Sequence, residues 1–362
     1  MRGVLRVDLR ALGENVRKIR QYLPQNCQYI SVLKANAYGL GAVKIAHFLE
    51  RGSLIDGFAM ANVDEALKLR DADIRLPIYI LSPALPDEMP LLFEVNLIPL
   101  VSFREEVDRL ELLAEGRERS LAIHIKIDTG MGRSGIWYDQ VGDFARYIRT
   151  HCPHLQITGY ATHYSSTATD PDFTAVQHQR FLAAISDESS PKLLLHASSS
   201  FGIGASFTEG TNAVRIGALQ YAIPRGELVE LLHLETVATF YGFVSGIKWV
   251  PKGCRIGYDQ TYQLERDTKI ALISLGYADG VAVQLSNRGH VDINNHHCRI
   301  IGRVSMDQAM VDVTDYPQIQ IGDQAIFFGK GGPTLDEFAA DADLPTRLCL
   351  CQISDRVARC YI

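Results

Sequence analysis

Short apolar runs alternate with longer amphipathic segments over the first two-thirds of the chain, and this alternation constrains the fold more than any other feature. The runs that predict strands cover residues 29–34, 57–60, 78–82, 97–101, 122–128, 156–163, 192–197 and 213–216. Helical patterns accompany most of them, at residues 9–23, 42–51, 63–70, 103–113, 138–150 and 173–184, and are weaker after the third and seventh runs. Such alternation is typical of parallel strands whose faces are covered by helices.

The number of these units favours one architecture. Eight apolar runs match the strands of a (β/α)8 barrel, which usually takes about 250 residues. The structural alternative is a doubly wound open sheet, which normally has a glycine-rich loop of the GxGxxG type after its first strand. Residues 34–39 follow the first run, read KANAYG and lack that pattern. We therefore predict an α/β fold with a TIM-type barrel over residues 11–235.

The pattern changes after residue 235. Short alternating stretches at residues 235–244, 269–275, 291–293, 298–304 and 309–313 are separated by Gly, Pro, Asn and Asp. This pattern predicts a mostly antiparallel β domain over residues 236–362. Residues 4–7 also alternate, so we expect residues 1–10 to join that domain.

Composition excludes several classes of protein. The chain has 362 residues, of which 47% are hydrophobic and 22% charged, as expected for a folded protein with a sizeable core. Its net charge of −6 and the lack of a Lys/Arg block argue against nucleic-acid binding. No run approaches the roughly 18 apolar residues of a membrane span, and no apolar segment near the start indicates a signal peptide.

The cysteines bear on metal sites and on location. The chain has seven scattered cysteines and no CxxC pair, so neither a zinc ribbon nor a redox dithiol is predicted, and no metal is expected. Free thiols in a chain of this size indicate a reducing compartment. We therefore expect a cytoplasmic protein.

Polar residues end many of the predicted barrel strands. These residues are Lys34, His124, Lys126, Asp128, His163, His196 and Arg215. The active sites of barrel enzymes lie at the carboxyl ends of the strands, so these side chains are expected to converge there. The excess of positive charge would suit an anionic ligand such as a phosphate or a carboxylate.

Each of these residues also has a purely structural interpretation. By position alone, Lys34 fits a solvated strand end, and His124 fits a hydrogen-bonded core histidine better than a functional one. A lone charge at Lys126 would cost several kcal/mol unless it is paired. Asp128 and Arg133 are near in sequence and are candidate neighbours for it.

Four segments make the chain recognisable. Residues 32–39 (VLKANAYG) and 126–133 (KIDTGMGR) resemble two signatures of the alanine racemases. Residues 276–280 (GYADG) and 302–308 (GRVSMDQ) resemble two signatures in the β domain of that family. Because the four occur in family order across almost the whole chain, a chance match is improbable.

The resemblance implies an enzyme that uses pyridoxal phosphate (PLP) and has a barrel followed by a β domain. Lys34 would bind the cofactor covalently, Arg215 would face its pyridine nitrogen, and His163 would orient Arg215. An arginine there keeps the nitrogen unprotonated, which weakens the electron sink and suppresses side reactions such as transamination. The cofactor phosphate would contact Tyr38, Ser200 and the backbone amides of Gly217 and Ala218.

The resemblance also implies two bases and a shared active site. Lys34 would act on one face of the substrate and Tyr258, in the stretch 257–262, on the other. Tyr258 and Met306 would come from the partner subunit, so the active form would be a homodimer with shared sites. Met306 would also contact the substrate.

Other residues would bind the substrate or support the site. Arg133 would bind the substrate carboxylate and the cofactor's phenolic oxygen. Lys126 is commonly carbamylated in the family, and that change would let it pair with Arg133. The residues expected to support the site are Lys126, Asp128, Tyr277 and Asp307.

Four positions depart from the family pattern. Ser199 stands where the family usually has Asn, and Leu40 where His is common. Ala222 replaces a usual Gly, and Asp355 stands where the family commonly has a tyrosine that binds the phosphate. These departures affect the expected substrate preference and PLP affinity more than the fold.

Several functions remain open from the sequence. Alanine racemase is the first interpretation, with D-alanine supplied to a cell wall or degraded, and a serine or broad-spectrum racemase is the nearest alternative. A PLP decarboxylase of basic amino acids would be expected to place a carboxylate where Arg215 stands. A PLP-binding protein without racemase activity would lack the β domain and Tyr258, and a member that has lost activity is the remaining alternative.

Overall fold

The computed structural model of the chain describes residues 1–188, 192–203, 208–224 and 226–362. The strands are β1 (Gly3–Val7), β2 (Gln28–Val32), β3 (Gly57–Met60), β4 (Ile78–Ile80), β5 (Ile98–Val101), β6 (Leu121–Asp128), β7 (Ile136–Trp137), β8 (Leu155–Ala161), β9 (Leu194–Ser199), β10 (Ala213–Ile216), β11 (Ala238–Val250), β12 (Arg255–Ile256), β13 (Tyr262–Gln263), β14 (Thr268–Ile273), β15 (His290–Ile293), β16 (His296–Arg299), β17 (Ala309–Asp312), β18 (Gln324–Phe328) and β19 (Ala358–Tyr361).

Helices follow most of the barrel strands and also occur near the carboxyl end of the chain. They are Leu9–Tyr22, Ala42–Arg51, Val63–Asp71, Met89–Glu94, Arg104–Glu115, Val141–His151, Pro171–Ala184, Glu227–Leu231, Leu335–Ala342 and Thr346–Cys351. Within the described ranges, no helix has the length and apolar character needed to cross a membrane.

The chain divides into two compact units. The barrel unit comprises Val16–Ala37 and Ala42–Leu219. The sheet unit comprises Met1–Asn15, Tyr38–Gly41 and Gln220–Ile362.

The barrel unit contains a closed parallel barrel. Its eight strands are β2, β3, β4, β5, β6, β8, β9 and β10, and the pairings of β10 with β2 and of β5 with β6 close the circle. This closure confirms the predicted TIM-type barrel and is incompatible with an open doubly wound sheet. The short strand β7 pairs beside β6 and was not predicted, because two residues carry no readable periodicity.

Small and large apolar side chains fill the barrel interior. The buried cluster contains Ile30, Val32, Ala59, Tyr79, Leu100, Ala161, Leu194 and Ala213. These residues come from every barrel strand except β6, as expected for a barrel that is a packed core rather than a pore. The polar strand-end residues are therefore built on rigid elements.

The first barrel strand ends earlier than predicted. β2 stops at Val32, and Lys34 begins a five-residue turn, Lys34–Tyr38, whose backbone winds left-handed. Ala35, Asn36, Ala37 and Tyr38 have φ values of 53°, 54°, 55° and 58°. The left-handed region costs an L-residue roughly 1–2 kcal/mol, so surrounding contacts must hold this turn.

Two connections were weakly predicted as helical. The segment after β4 does contain a helix, Met89–Glu94, which has proline near its first turn. The segment between β9 and β10 includes residues 204–207, which lie outside the described residues.

The sheet unit is built around the long strand β11. β11 pairs antiparallel with β1, β14 and β18, while β15 joins β18 to β16, and β17 pairs with β14. β1 also pairs with β19 in the one parallel ladder of this sheet among the described residues. The sheet is thus mostly antiparallel, as predicted.

Parts of the sheet unit differ from the sequence prediction. The strand predicted at residues 235–244 is β11, which starts at Ala238 and continues to Val250 past a register shift between Val244 and Gly246. The helix Leu335–Ala342 was not predicted, although Thr334 and Glu337 form a capping box. That TxxE spacing is a readable signal for a helix start.

Candidate active site

Arg215 on β10 lies at the centre of a buried hydrogen-bond network in the barrel unit. Nη1 donates to the His196 carbonyl at 2.6 Å and to His196 Nδ1 at 2.7 Å. Nη2 donates to the carbonyls of Thr162 at 2.6 Å and Ala197 at 3.0 Å, and to His163 Nδ1 at 3.3 Å. All these contacts use Nη1 or Nη2, so Nε is the guanidinium nitrogen that bonds to none of the described residues.

This network fixes the protonation of two histidines. Because a guanidinium can only donate, Nδ1 of His196 accepts and the ring proton lies on Nε2. His196 Nε2 is 2.7 Å from Nδ1 of His124, which accepts in turn. Burial and then the charge of Arg215 lower the pKa of His124 to about 3, and the same two causes lower the pKa of His196. Both rings are neutral at physiological pH.

Cationic side chains converge on His163, after β8. Burial, followed by the charges of Arg215, Lys126, Arg133 and Lys34, lowers the pKa of His163 to about 2. Burial also lowers the pKa of Arg215 to about 10, which leaves it charged at neutral pH. The structure therefore brings together the cationic group that the sequence places at the strand ends.

Lys126 is buried on β6 and forms no hydrogen bond or ion pair with any described residue. Burial, and then the charges of Arg215 and Arg133, lower the pKa of its ammonium well below the ordinary value, while Asp128 opposes this shift. The surroundings thus favour the neutral amine of Lys126.

Asp128 does not pair with Lys126, the interaction that the sequence offered for it, but binds backbone amides. Its Oδ1 accepts three backbone N–H groups of the following loop, those of Gly130, Met131 and Gly132. In the described part of the chain it forms no ion pair with Lys126 or Arg133, because the carboxylate is turned toward these amides. Asp128 therefore shapes the loop that carries Arg133, whose side chain is exposed.

Lys34 is exposed at the start of the left-handed turn. Glu65 Oε1 accepts the N–H of Ala35 at 2.6 Å. The side chain of Asn36 accepts the N–H of Ala42 at 2.8 Å. These two polar contacts hold the strained backbone that follows Lys34.

Ser200 and Gly217 lie together in the barrel unit. Ser200 is 6% exposed, and its Oγ accepts the N–H of Gly217 at 3.1 Å and that of Leu219 at 3.4 Å. The Gly217 amide, which the family resemblance assigns to the cofactor phosphate, is thus directed at Ser200, while Ala218 begins the short turn Ala218–Tyr221. The Ser200 hydroxyl proton has no acceptor among the described residues, so it can donate to an added anion.

Tyr38 belongs to the sheet unit. Its ring meets the ring of Tyr221 edge-on, with centroids 5.8 Å apart. Burial raises the pKa of its phenol to about 12, although the nearby charge of Arg347 opposes this shift. Tyr38 is therefore a neutral hydrogen-bond donor at physiological pH.

Tyr258 lies on a loop of the sheet unit and is 69% exposed. The loop includes Gly257 and Asp259, which have φ values of 76° and 58°. Asp259 forms an ion pair with Arg303. The Tyr258 phenol is thus exposed to solvent, and the ion pair of the next residue holds the loop that carries it.

Tyr277, Met306 and Asp307 lie on two adjoining loops of the sheet unit. Tyr277 N–H donates to the Ser305 carbonyl at 3.0 Å, and Ala278 N–H donates to the Met306 carbonyl at 3.0 Å. The side chains of Tyr277 and Met306 are 44% and 51% exposed. The structure therefore brings these predicted residues together, whereas Tyr258 occupies a separate loop.

Family models match almost the whole chain. The alanine racemase N-terminal domain matches residues 7–224, and the alanine racemase C-terminal domain matches residues 237–361. The chain belongs to the alanine racemase family. Alanine racemase of Halothermothrix orenii is 34% identical over 364 residues, which are 98% of this chain and 95% of that protein. Alanine racemase of Carboxydothermus hydrogenoformans is also 34% identical, over 98% of each chain.

Solved structures of alanine racemases agree with this assignment. The alanine racemase of Clostridium difficile 630 has a TM-score of 0.94 and 27% identity, covering 100% of this chain and 96% of its own. That of Bartonella henselae, which contains covalently bound pyridoxal phosphate, has a TM-score of 0.89 and 26% identity over 100% of both chains. The alanine racemases are PLP-dependent isomerases, and the resemblance recognised in the sequence is confirmed.

The positions that depart from the alanine racemase pattern have distinct surroundings. Ala222 has a φ of 58°, a conformation that glycine adopts without strain, so the departure from Gly has a local cost. Leu40 is buried, and its carbonyl accepts the Tyr361 hydroxyl at 3.1 Å. Asp355 is exposed, and its charge raises the pKa of Arg359 against the larger lowering by burial. Ser199 ends β9.

The sequence did not reveal the residues that hold the backbone around candidate site residues. Glu65 supports the turn at Lys34, and Arg356 forms ion pairs with Asp279 and Asp307. Arg356 lies 49 positions from Asp307 in the chain, so no local pattern links them. Glu65 lies in the first turn of the helix Val63–Asp71, where an acidic residue is expected, but its hydrogen bond to Ala35 links residues 30 positions apart and has no local signal.

Proposed function

We propose that this chain is a PLP-dependent alanine racemase that acts as a cytoplasmic homodimer with shared active sites. The observation that carries the proposal is Arg215, buried and bound on Nη1 and Nη2 while Nε has no partner among the described residues. Membership of the alanine racemase family and free thiols at all seven cysteines support it. An arginine at this position also argues against the decarboxylase alternative.

The residues of the barrel unit fit pyridoxal phosphate. Nε of Arg215 is a donor that would suit an unprotonated pyridine nitrogen, and the Ser200 hydroxyl would suit a phosphate oxygen. Lys34 would hold the cofactor covalently, and the backbone at Gly217 and Ala218 would contact its phosphate. The family resemblance also assigns Tyr38, in the sheet unit, to phosphate binding. Bound pyridoxal phosphate makes the Cα proton of an amino acid acidic by delocalising the electron pair that the proton leaves behind.

Two side chains would move protons at the substrate Cα. Nζ of Lys34 would take the proton from the D-enantiomer or deliver it to that face. Oη of Tyr258, supplied by the partner subunit, would do the same on the opposite face. The high exposure of Tyr258 in the single chain supports a position at a subunit boundary.

The other predicted residues would bind or orient. Arg133 would bind the substrate carboxylate, and Met306 from the partner would limit the space around the substrate side chain. Lys126 would carry a carbamate that pairs with Arg133, because its neutral amine is the form that reacts with carbon dioxide.

His163 would orient Arg215, and Asp128, Tyr277 and Asp307 would hold their loops.

The direct test is an α-proton exchange assay in deuterated water with alanine, serine, lysine and arginine side by side. We expect the fastest exchange and interconversion with alanine, and a yellow protein that loses its colour on borohydride reduction while the cofactor becomes fixed to Lys34. Faster turnover of serine would move the assignment to the alternative racemase. Carbon dioxide release from lysine or arginine, or a protein that fails to bind added PLP, would overturn the proposal.

The shared site has its own experiment. Lys34→Ala and Tyr258→Phe chains are inactive separately if each removes one base, but a mixed dimer retains one intact site when the bases come from different subunits. We expect partial recovery of activity in purified mixed dimers carrying two affinity tags. Absence of recovery in dimers verified by mass spectrometry would place both bases in one subunit.

A further inference from the structure

Arg356 joins two loops of the sheet unit that carry predicted site residues. Its Nε lies 3.3 Å from Asp279 Oδ1, and its Nη2 lies 2.6 Å from Asp307 Oδ1. Asp279 follows Tyr277 in the first loop, and Asp307 follows Met306 in the second. One guanidinium therefore contacts a carboxylate on each loop.

The first of these carboxylates is built into the fold. Asp279 is 5% exposed, and its Oδ2 accepts the N–H of Gly276 at 2.9 Å. Because Oδ2 accepts this hydrogen bond at the start of the turn 276–279, Oδ1 is the oxygen that pairs with Arg356. The Asp279 carbonyl also accepts the N–H of Ser354, two residues before Arg356, at 3.4 Å.

The two loops approach each other too closely to move independently. A Cβ added at Gly276 would lie 2.2 Å from the Ser305 carbonyl oxygen and 2.4 Å from that of Met306. The N–H groups of Tyr277 and Ala278 donate to these same two carbonyls. Any shift of the second loop thus breaks the hydrogen bonds that orient Tyr277.

We propose that Arg356 is a positioning residue that locks the Tyr277 loop to the Met306 loop, so that the Met306 side chain meets the substrate in one fixed arrangement. The planar guanidinium can satisfy the two carboxylates at once, whereas a lysine ammonium at the end of a flexible chain is a point charge without that fork. The effect on the substrate rests on the proposed function. The coupling of the two loops does not depend on it.

The first test measures the coupling without any catalysis. Hydrogen exchange with mass spectrometry on the full-length, PLP-loaded protein follows peptides that cover residues 275–281 and 303–308. In Arg356→Lys we expect the amides of Tyr277 and Ala278 to exchange at least about tenfold faster, because the loops separate by local opening. Unchanged exchange in this variant would overturn the proposal.

Arg266 offers a matched control in the same unit. It pairs with Asp315 at 2.6 Å and Asp312 at 3.5 Å, and its side chain is 51% exposed against 49% for Arg356. Arg266→Lys removes the same fork from two carboxylates at the end of β17. It should leave exchange at residues 275–281 and the racemase activity unchanged, and an equal acceleration would show a general loosening and refute a specific role of Arg356.

The second test reads the effect on the substrate. In Arg356→Lys, we expect the KM for alanine to rise by about tenfold while kcat changes by less than about threefold, as when binding contacts common to the substrate and the transition state are lost. An unchanged KM with faster exchange would overturn the role in substrate positioning. If Arg356→Lys does not fold, Asp307→Asn removes the exposed half of the bridge and should give the same exchange pattern.

The two tests separate the two proposals. If the unmodified protein shows no racemase activity, the proposed function fails, and the exchange experiment still decides whether Arg356 couples the loops. If the activity is present and exchange is unaffected by either variant, the proposed function stands and the role of Arg356 fails.

Discussion

The barrel unit and the sheet unit hold their candidate residues in different ways. In the barrel unit, Arg215 is 4% exposed and is fixed by buried carbonyls and imidazoles. In the sheet unit, Tyr258, Tyr277 and Met306 are 69%, 44% and 51% exposed and stand on loops. Backbone hydrogen bonds and surface ion pairs hold the loops that carry these exposed residues.

This difference separates groups that are held in one protonation state from groups that are left accessible. Groups whose charge state matters, such as Arg215 and the histidines around it, are removed from water, so that burial and neighbouring charges set their protonation. The groups proposed to contact the substrate or a partner subunit, Tyr258 and Met306, are exposed in the single chain. We therefore expect substitutions in the barrel network to alter stability and protonation, and substitutions in the loops to alter reaction direction and specificity.

The largest expected effect tests the sheet unit. Tyr258→Phe removes the phenolic hydroxyl from an exposed side chain, so stability should change little. Exchange of the α-proton of L-alanine should slow by about 10²–10⁴-fold, the usual contribution of a general acid or base. Exchange from D-alanine should slow much less, and a matched loss for both enantiomers, followed by NMR in deuterated water, would contradict a role on one face.

The next effect tests the barrel network. Arg215→Met leaves the Nδ1 of His196 and the carbonyls of Thr162 and Ala197 without their buried donor. The free energy of unfolding should fall by about 3–5 kcal/mol, as when a buried charged group is removed from its partners. The comparison variant Arg356→Met removes a half-exposed guanidinium from its two carboxylates and should lower stability much less. Urea denaturation measures both, and equal losses would refute the contrast between the units.

Acid stability gives a prediction of intermediate size. His124 and His163 have a pKa of about 3 and about 2 in the folded chain, against an ordinary value of 6.5. Below pH 6.5 the unfolded chain therefore binds protons that the folded chain does not, and stability falls as the pH falls. Each such histidine contributes up to about 1.4 kcal/mol per pH unit in this range.

The matched variants for this prediction are His124→Asn and His151→Asn. The Asn oxygen can replace the acceptor Nδ1 of His124 without titrating, so the loss of stability between about pH 6 and pH 4 should become shallower. His151 is exposed and outside the buried network, so its replacement should leave that slope as it is. Urea denaturation at a series of pH values checks this, and identical slopes in all three proteins would contradict it.

The smallest effect concerns the left-handed turn after Lys34. Ala35→Gly places glycine at a φ of 53°, and the relief of strain should exceed the entropic cost, so stability should rise by about 0.5–1 kcal/mol. Ala175→Gly, inside the helix Pro171–Ala184, should instead lower stability by about 1 kcal/mol. Thermal unfolding decides the sign, and a loss in both variants would mean that the turn is unstrained.

Local periodicity made the barrel and most of the β domain predictable, because buried parallel strands and alternating strands leave different patterns. Strand ends also located Lys34, Lys126 and Arg215, since a polar residue after an apolar run is visible in one dimension. The bridge from Arg356 to Asp279 and Asp307 was not predictable, because its members meet only through the tertiary fold. The left-handed turn was missed because alanine carries no signal for that conformation.

The turn after Lys34 has a consequence for protein chemistry. Mirror-image residues prefer the backbone region that costs L-residues roughly 1–2 kcal/mol each. Ala35 and Ala37 occupy that region with φ values of 53° and 55°. A semisynthetic chain with D-alanine at these two positions would relax the segment beside the lysine, so the proposed product of this enzyme is also the building block that its own backbone would accommodate best there.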